Sequence, residues 1–170
     1  MDTGVGSFKI DHDRLLRGLY VSRKDHIGNE TVTTFDVRMK RPNIEPPVDV
    51  PAMHTLEHLM AVYIRSEDSG WAERMIYVGP MGCRTGMYIV VKGDLGVRDI
   101  LPLMQMTFKY ISEFEGKVPA TSSKECGNYL EHNLTHAKSE SKKYYDEVLT
   151  QMKHENMNYP DTGGQVPCVG

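Results

Sequence analysis

Apolar and polar residues alternate with a period of two in the first quarter of the chain. The clearest run, Val32-Thr-Thr-Phe-Asp-Val-Arg-Met39, is also rich in β-branched residues, which is typical of a half-buried strand. Residues 18–21 are its predicted partner, and the chain turns back between the two through Ile27-Gly-Asn-Glu30. The pattern therefore predicts two neighbouring strands in this region.

Two shorter apolar runs follow in the middle of the chain. Residues 74–78 and 87–91 each have the length and composition of a strand. The segment between them, Gly79-Pro-Met-Gly-Cys-Arg-Thr-Gly86, contains too many glycines for a regular element. It is therefore predicted to be a shaped loop.

Three other segments change to the helical period. From residue 52 to about 65 apolar side chains recur at steps of three and four, and further helices are predicted over residues 97–114 and roughly 134–153. Before the first helix, four prolines between residues 42 and 51 exclude a helix interior or a central strand. This stretch is predicted to be an ordered connector, and the mixture of strands and helices favours an α+β fold.

Length and composition fit one soluble domain over residues 1–170, with a flexible tail at 160–170. Lys+Arg 20 against Asp+Glu 23 gives a net charge of −3 without a basic stripe, which argues against nucleic acid as a partner. The longest apolar run, residues 87–91, is far shorter than the ~20 residues of a membrane helix. The first 14 residues lack the apolar core of a secretion signal, so we expect a cytoplasmic protein.

A pair of histidines on the first predicted helix is a candidate metal site. In His54-Thr-Leu-Glu-His58 the i, i+4 spacing puts both imidazoles on one helical face, one turn apart. Composition alone gives about 0.3 such pairs, so the spacing by itself is weak evidence. The proline-rich entry and Glu57, which is placed to reach a metal-bound group without ligating, favour a metal role.

The third ligand is left open by the residues themselves. Cys126 would complete the two imidazoles and leave one position free, as catalytic sites do, but it could equally be a buried free thiol. A second i, i+4 pair, His132 and His136, gives an alternative site with Cys126. That alternative has no acidic neighbour on a fixed turn, so we expect the metal to be indifferent to His132 and His136.

Cys83 lies in the glycine-rich loop between the two middle strands. The glycines allow close approach of backbone to a ligand, and Arg84 would favour the thiolate. This setting favours a reactive cysteine over a structural one. Cys168 belongs to the tail and matches no pattern that we can place.

Six motifs of the chain appear in the order and approximate spacing of one known family. They are Ser7-Phe-Lys-Ile-Asp-His12, Phe35-Asp-Val-Arg38 with Pro42-Asn43, His54-Thr-Leu-Glu-His-Leu-Met-Ala61, Ile64-Arg-Ser66, Pro80-Met-Gly-Cys-Arg-Thr-Gly86 and Glu125-Cys-Gly127. Through them the chain resembles the S-ribosylhomocysteine lyases, or LuxS proteins, which make the precursor of autoinducer-2. The resemblance spans residues 7 to 127 and continues in the helix after His132.

The resemblance implies a role for each of these residues. One divalent metal, Fe(II) in its natural form and replaceable by zinc or cobalt, would be held by His54, His58 and Cys126. Glu57 and Cys83 would be the acid/base pair. The expected substrate contacts are Ser7, His12, Arg38 and Arg65.

The resemblance also implies the reaction and the assembly. The ribose ring opens, the carbonyl migrates to C3 through enediolates, and β-elimination expels homocysteine and leaves 4,5-dihydroxy-2,3-pentanedione. Family members are homodimers with two active sites at the interface, built on an antiparallel β-sheet covered by helices. This chain departs from the family's Ile-Asp-x-Ser-Pro pattern, because Tyr77 and Gly79 stand at the second and fourth positions.

The main alternative is a zinc metallopeptidase. His-x-x-Glu-His is also the inverzincin signature, in which the two histidines bind zinc and the glutamate activates water. Such peptidases take a downstream glutamate as third ligand and have much longer chains. Here the candidate third ligand is Cys126, and Cys83 would have no task in peptide hydrolysis.

Overall fold

A single antiparallel sheet of four strands organises the part of the chain that the computed structural model describes, residues 9–160. Its strands are β1 (Gly18–Ile27), β2 (Glu30–Arg38), β3 (Met75–Pro80) and β4 (Gly86–Lys92), in the spatial order β1-β2-β4-β3. All four were predicted, and the antiparallel sheet of an α+β fold is confirmed. The pairing of β2 with β4, which joins the two hairpins, has no local signal in the sequence.

Three helices accompany the sheet: α1 (Val50–Ile64), α2 (Val97–Glu113) and α3 (Leu134–Tyr144). The first two agree with the predicted helices to within two residues. The third is shorter than the predicted 134–153, because the chain changes to a π-helical stretch over Tyr145–Leu149 and then stops. The side chains of Thr150 and Gln151 both donate to the Asp146 carbonyl, which ends the helix there. None of the described helices is long and apolar enough to cross a membrane.

The two faces of the sheet have different chemistry. Because side chains alternate along a strand, Leu19, Val37 and Met87 stand in register on one face, fully buried under the helices. Their neighbours Tyr20, Asp36 and Tyr88 stand in register on the other face. The second face therefore carries polar groups at its centre, and two of them, Asp36 and Arg38, are almost completely buried.

The connector after β2 is ordered, as predicted, and it brings the β3–β4 turn next to the start of α1. The backbone amides of Met39 and Lys40 donate to the Thr85 carbonyl, and that of Val48 donates to the Arg84 carbonyl. Asp49 then caps α1 by accepting a hydrogen bond of 2.6 Å from the Ala52 amide. The segment thus fixes the position of two predicted functional regions relative to each other.

Candidate metal centre and active site

Four potential metal ligands converge beside the first turns of α1. His54 and His58 project from the helix one turn apart, as their spacing predicted, and Cys126 and His132 approach from the loop before α3. The four ligand atoms lie within 4.8 Å of one another, and Cys126 Sγ is 3.3 Å from His54 Nε2. Three of these residues are the predicted set, and the structure adds His132 to them.

Backbone carbonyls fix the orientation of both helical imidazoles. His54 Nδ1 lies 3.0 Å from the Glu131 carbonyl oxygen, and His58 Nδ1 lies 2.9 Å from that of Pro119. Since a carbonyl oxygen only accepts, each Nδ1 carries the proton and each Nε2 keeps its lone pair. This is the arrangement by which proteins present histidine to a metal.

The orientation of His132 is fixed by a hydroxyl instead. Thr55 Oγ1 donates its one proton to the Pro51 carbonyl at 2.9 Å and accepts the Asn133 amide at 3.0 Å. His132 Nδ1, 3.2 Å away, therefore donates to the remaining lone pair of Thr55 Oγ1. His132 Nε2 is left unprotonated, buried and without a hydrogen-bond partner among the described residues.

A divalent metal fits this donor set. Buried polar atoms are nearly always paired, so the orphaned His132 Nε2 beside three other donors points to a group at the centre of the cluster. Imidazole nitrogens combined with a thiolate suit zinc, iron or cobalt. The Asn128 amide donates to Cys126 Sγ at 3.4 Å, so a backbone contact helps to hold the sulfur among these donors. Burial lowers the pKa of His132, and the neighbouring His54 and His58 lower it further.

The alternative set of Cys126, His132 and His136 is not the one that the structure assembles. His132 joins the cluster of His54 and His58, whereas His136 points elsewhere: its Nδ1 bonds to Asp49 and its Nε2 lies 3.1 Å from Glu140 Oε1. The metal was expected to be indifferent to both histidines, whereas the structure places His132, and not His136, in the group of potential ligands.

Glu57 lies on the same helix as the two histidines of the cluster, directly before His58. Its side chain is half-buried. Within residues 9–160 no hydrogen bond or ion pair engages its carboxylate, in contrast to the paired acids Asp36 and Glu140. In the described part of the chain this carboxylate is therefore not committed to a structural contact.

Cys83 occupies the tight turn that joins β3 to β4. Its Sγ lies 3.1 Å from Thr85 Oγ1 and 3.9 Å from Arg38 Nη1, and Arg38 Nη1 also donates to Thr85 Oγ1 at 2.5 Å. Partial burial alone would raise the pKa of the Cys83 thiol, but the Thr85 hydrogen bonds and the Arg38 charge outweigh it. The pKa is lowered from its usual value, which favours the reactive thiolate.

The guanidinium that assists Cys83 is held by a buried carboxylate. Arg38 Nη2 and Nε donate to the two oxygens of Asp36 at 2.6 and 3.1 Å, a bidentate pair in which both side chains are at most 3% exposed. Sequence reasoning named Arg38 but missed Asp36 and Thr85. The available signal was the presence of two charged residues, two positions apart, in a strand whose alternate positions are apolar.

A cavity of about 790 Å³ opens beside Cys83. Its lining includes His12 and Arg38, two of the expected substrate contacts, together with Tyr88 and the connector residues 42–47. The expected contact Ser7 lies outside the described residues, as do Cys168 and all but the first residue of the expected tail 160–170. Arg65 caps the far end of α1, about 16 Å along the helix axis from His54. The potential metal ligands are not among the residues that line this cavity, and we refer to the ligand cluster and the Cys83 cavity as the two half-sites.

Backbone strain is concentrated at these half-sites. The non-glycine residues in the described part of the chain that have a positive φ are Asn43, Arg84 and Ala120. Asn43 lines the cavity, Arg84 follows Cys83, and Ala120 follows the proline whose carbonyl orients His58. Such conformations cost free energy and persist where a site requires them.

Tyr77 and Gly79, which depart from the family's Ile-Asp-x-Ser-Pro pattern, depend on each other sterically. The two residues share a face of β3, and the Tyr77 hydroxyl lies only 1.9 Å from where a Cβ on Gly79 would be. The tyrosine, half-exposed, therefore fills the space that a side chain at position 79 would take.

The matches to known proteins extend over the residues of both half-sites. The family model described as S-Ribosylhomocysteinase (LuxS) matches residues 5–155. The S-ribosylhomocysteine lyase of Phocaeicola vulgatus is 56% identical over 156 residues, which is 92% of this chain and 96% of the relative. That of Porphyromonas gingivalis strain W83 is 55% identical over 157 residues, 92% of this chain and 98% of the relative. That of Desulfotalea psychrophila is 47% identical over 156 residues, with coverages of 92% and 98%.

Proposed function

The chain belongs to the S-ribosylhomocysteine lyase (LuxS) family, and from that premise we propose how its own residues perform the reaction. It is a carbon–sulfur lyase that cleaves S-ribosylhomocysteine to homocysteine and 4,5-dihydroxy-2,3-pentanedione, the autoinducer-2 precursor, by carbonyl migration and β-elimination. The observation that carries this function in the molecule itself is the cluster of three imidazoles and one thiol on and beside the helix that carries Glu57. The metallopeptidase alternative required a glutamate as third ligand, whereas the donors here are Cys126 and His132.

His54, His58 and Cys126 would hold one divalent metal per chain, with His132 Nε2 directed at the same centre. Fe(II) is our proposal for the metal in the cell, with zinc or cobalt able to substitute, since nitrogen and sulfur donors accept all three. When bound, the metal supplies Lewis-acid catalysis: it polarises a substrate oxygen and acidifies the adjacent C–H bond.

Cys83 and Glu57 would move the protons. Carbonyl migration takes a proton from one sugar carbon and returns it to the next, so a thiolate with a lowered pKa is suited to both directions. In the elimination, a proton leaves C4 while the C5–S bond breaks and the electron pair goes to the homocysteine sulfur. Glu57, which has no hydrogen-bond or ion-pair partner within residues 9–160, is the base proposed for that step. His12, Arg38, Ser7 and Arg65 are the proposed substrate contacts.

We propose a homodimer with active sites at its interface, because the two half-sites of one chain do not share a cavity. Large apolar side chains are exposed at both: Ile44 lines the cavity, and Leu130, 80% exposed, lies in the loop between Cys126 and His132. Exposed apolar residues at such positions are typical of an interface. We also propose that the enzyme acts in the cytoplasm, where it serves methionine-cycle recycling and autoinducer synthesis in quorum sensing.

Thiol release tests the function directly. The protein is prepared anaerobically, its metal content is measured, and S-ribosylhomocysteine is added in the presence of a thiol reagent. We expect one homocysteine to be released for each S-ribosylhomocysteine consumed, and we expect this release to be abolished in Cys83→Ala. Hydrolysis of an unstructured peptide substrate, without release of thiol, would instead establish the peptidase.

A further inference from the structure

The segment after α3 returns to the second face of the sheet and docks there. Asn156 Nδ2 donates to the Arg17 carbonyl at 2.8 Å, and the ring of Tyr159 stacks on that of Tyr20 with centroids 4.7 Å apart. Gly18 makes this approach possible, because a Cβ there would lie 2.3 Å from the Asn156 backbone oxygen. The docking is thus built into β1.

Through this docking Tyr159 reaches the buried ion pair behind Cys83. Its hydroxyl donates to Asp36 Oδ2 at 3.0 Å, the same oxygen that accepts Arg38 Nη2 at 2.6 Å. Arg38 Nη1 in turn contacts Thr85 Oγ1 and lies 3.9 Å from Cys83 Sγ. A continuous chain of polar contacts therefore runs from Tyr159 to the catalytic thiol.

We propose that Tyr159 is a positioning residue for Arg38, and that it thereby helps to keep Cys83 in the thiolate form. The proposal rests on the proposed role of Cys83 as an acid/base group. Tyr159 lies outside residues 5–155, the range that the family model matches.

The physical reason is that the buried Asp36 carboxylate accepts hydrogen bonds from both Tyr159 and Arg38. A hydrogen bond from the Tyr159 hydroxyl withdraws negative charge from Asp36, so less of the Arg38 charge is neutralised and more of it acts on Cys83. The same bond fixes the plane of the Asp36 carboxylate and with it the bidentate guanidinium. Loss of the hydroxyl would weaken both effects, and each weakening raises the pKa of the thiol.

Charged and titratable groups reach Cys83 from each element that surrounds it. Asp36 and Arg38 come from β2 and Tyr88 from β4, whereas Arg84, the next residue in the turn, directs its guanidinium to the Val48 carbonyl at 3.5 Å. The side chains of His12 and Glu45 line the adjoining cavity. Tyr159→Phe leaves all of them in place and removes a single hydroxyl, so a change in the titration of Cys83 is attributable to that hydroxyl.

The test is the pH profile of Cys83 alkylation in the metal-loaded protein, on a Cys168→Ser background, with the modified site identified by peptide mass spectrometry. In Tyr159→Phe we expect the midpoint to rise by roughly half a pH unit, which slows alkylation below the midpoint about threefold. The kcat at neutral pH should fall by a similar factor, and the loss should shrink as the pH is raised.

Tyr20→Phe is the matched control. It removes the other hydroxyl of the same ring stack, which bonds to the Leu16 and Glu155 carbonyls and not to Asp36. It should lower thermal stability and leave the Cys83 midpoint unchanged. An unchanged midpoint in Tyr159→Phe, or equal shifts in both variants, overturns the proposal. Because alkylation needs no substrate, this outcome is distinct from a failure of lyase activity in the wild-type protein.

Discussion

Thr55 Oγ1 lies 3.2 Å from His132 Nδ1, and this contact decides which nitrogen of His132 carries the proton. Thr55 follows His54 on α1 and faces the inner side of the helix, where its hydroxyl is already committed as a donor to Pro51. The helix therefore supplies two of the metal-site imidazoles and also sets the tautomer of a third, which comes from 77 residues further along the chain. The result is a buried lone pair directed at the other donors.

Replacing His132 should weaken metal binding. In His132→Ala the cluster loses the Nε2 atom that has no hydrogen-bond partner among the described residues. Loss of a residue that supports the ligands of a metal typically lowers the metal affinity about 10–100-fold. Competition of the loaded protein with a chelator, followed by metal analysis, measures the change. His136→Ala is the matched control, since His136 lies on the same segment but outside the cluster, and it should retain metal as the wild type does. Equal retention by both variants would show that His132 has no part in the centre.

The two described cysteines should separate metal binding from catalysis. Cys126→Ala is expected to lose the metal, because its Sγ is the one sulfur donor of the cluster. Cys83→Ala should keep the metal and the fold but lose turnover by a factor of ~10²–10⁴, the usual worth of a proton-transfer group. Glu57→Gln should resemble Cys83→Ala. Metal content and thiol release measured on the same preparations give the answer, and metal loss in Cys83→Ala would contradict the assignment.

The parts of this molecule that were predictable from sequence are those whose signal is local. The period of two in β2, the period of 3.6 in α1 and the i, i+4 pair of His54 and His58 each reflect the geometry of one element. The fold class, the strands and the candidate pair of histidines were predicted from such patterns, and the resemblance supplied Cys126 as the expected third ligand.

The parts that escaped prediction depend on contacts between distant segments. His132 is oriented by Thr55, and Asp36 accepts a further hydrogen bond from Tyr159, 123 positions away along the chain. The order of strands likewise depends on the pairing of β2 with β4. The helix α3 was predicted to extend too far, because the apolar periodicity continues past Thr150 and Gln151. The side chains of these two residues donate to the Asp146 carbonyl and terminate the helix.

The contact between His136 and Asp49 should make stability depend on pH. The hydrogen bond with Asp49 is the main reason that the pKa of His136 is raised above 6.5 in the folded chain, and Glu140 adds to it against the opposing effect of burial. Since the folded pKa exceeds the unfolded one, the stabilisation is complete below about pH 6.5 and is lost as the pH rises through the folded value. Lys40, paired with Glu140 at 2.6 Å, and Arg84 near Asp49 are the other charges around this contact.

A double-mutant cycle measures that effect. Asp49→Asn retains an N-cap side chain for α1 while removing its charge, and His136→Gln removes the titrating ring. Urea unfolding of the four proteins should give a coupling free energy that is favourable at pH 6 and smaller at pH 9. Both pH values lie well above the pKa of Asp49. Burial alone would raise that pKa, but hydrogen bonds from Ala52 and His136 lower it below its usual value. A coupling that is constant over this range would contradict the prediction.

The proposed homodimer makes a prediction about Leu130, which is 80% exposed in the loop that carries two of the metal-site residues. At an interface, Leu130→Glu would bury an unpaired carboxylate, a change that costs several kcal/mol. We therefore expect the variant to sediment as a monomer at concentrations where the wild type is dimeric, and to lose activity while it retains its metal. Ile27→Glu is the control, because Ile27 is 65% exposed at the end of β1 opposite to Gly18 and should leave the dimer intact. A wild-type protein that sediments as a fully active monomer would refute the dimer, since a complete site would then form within one chain.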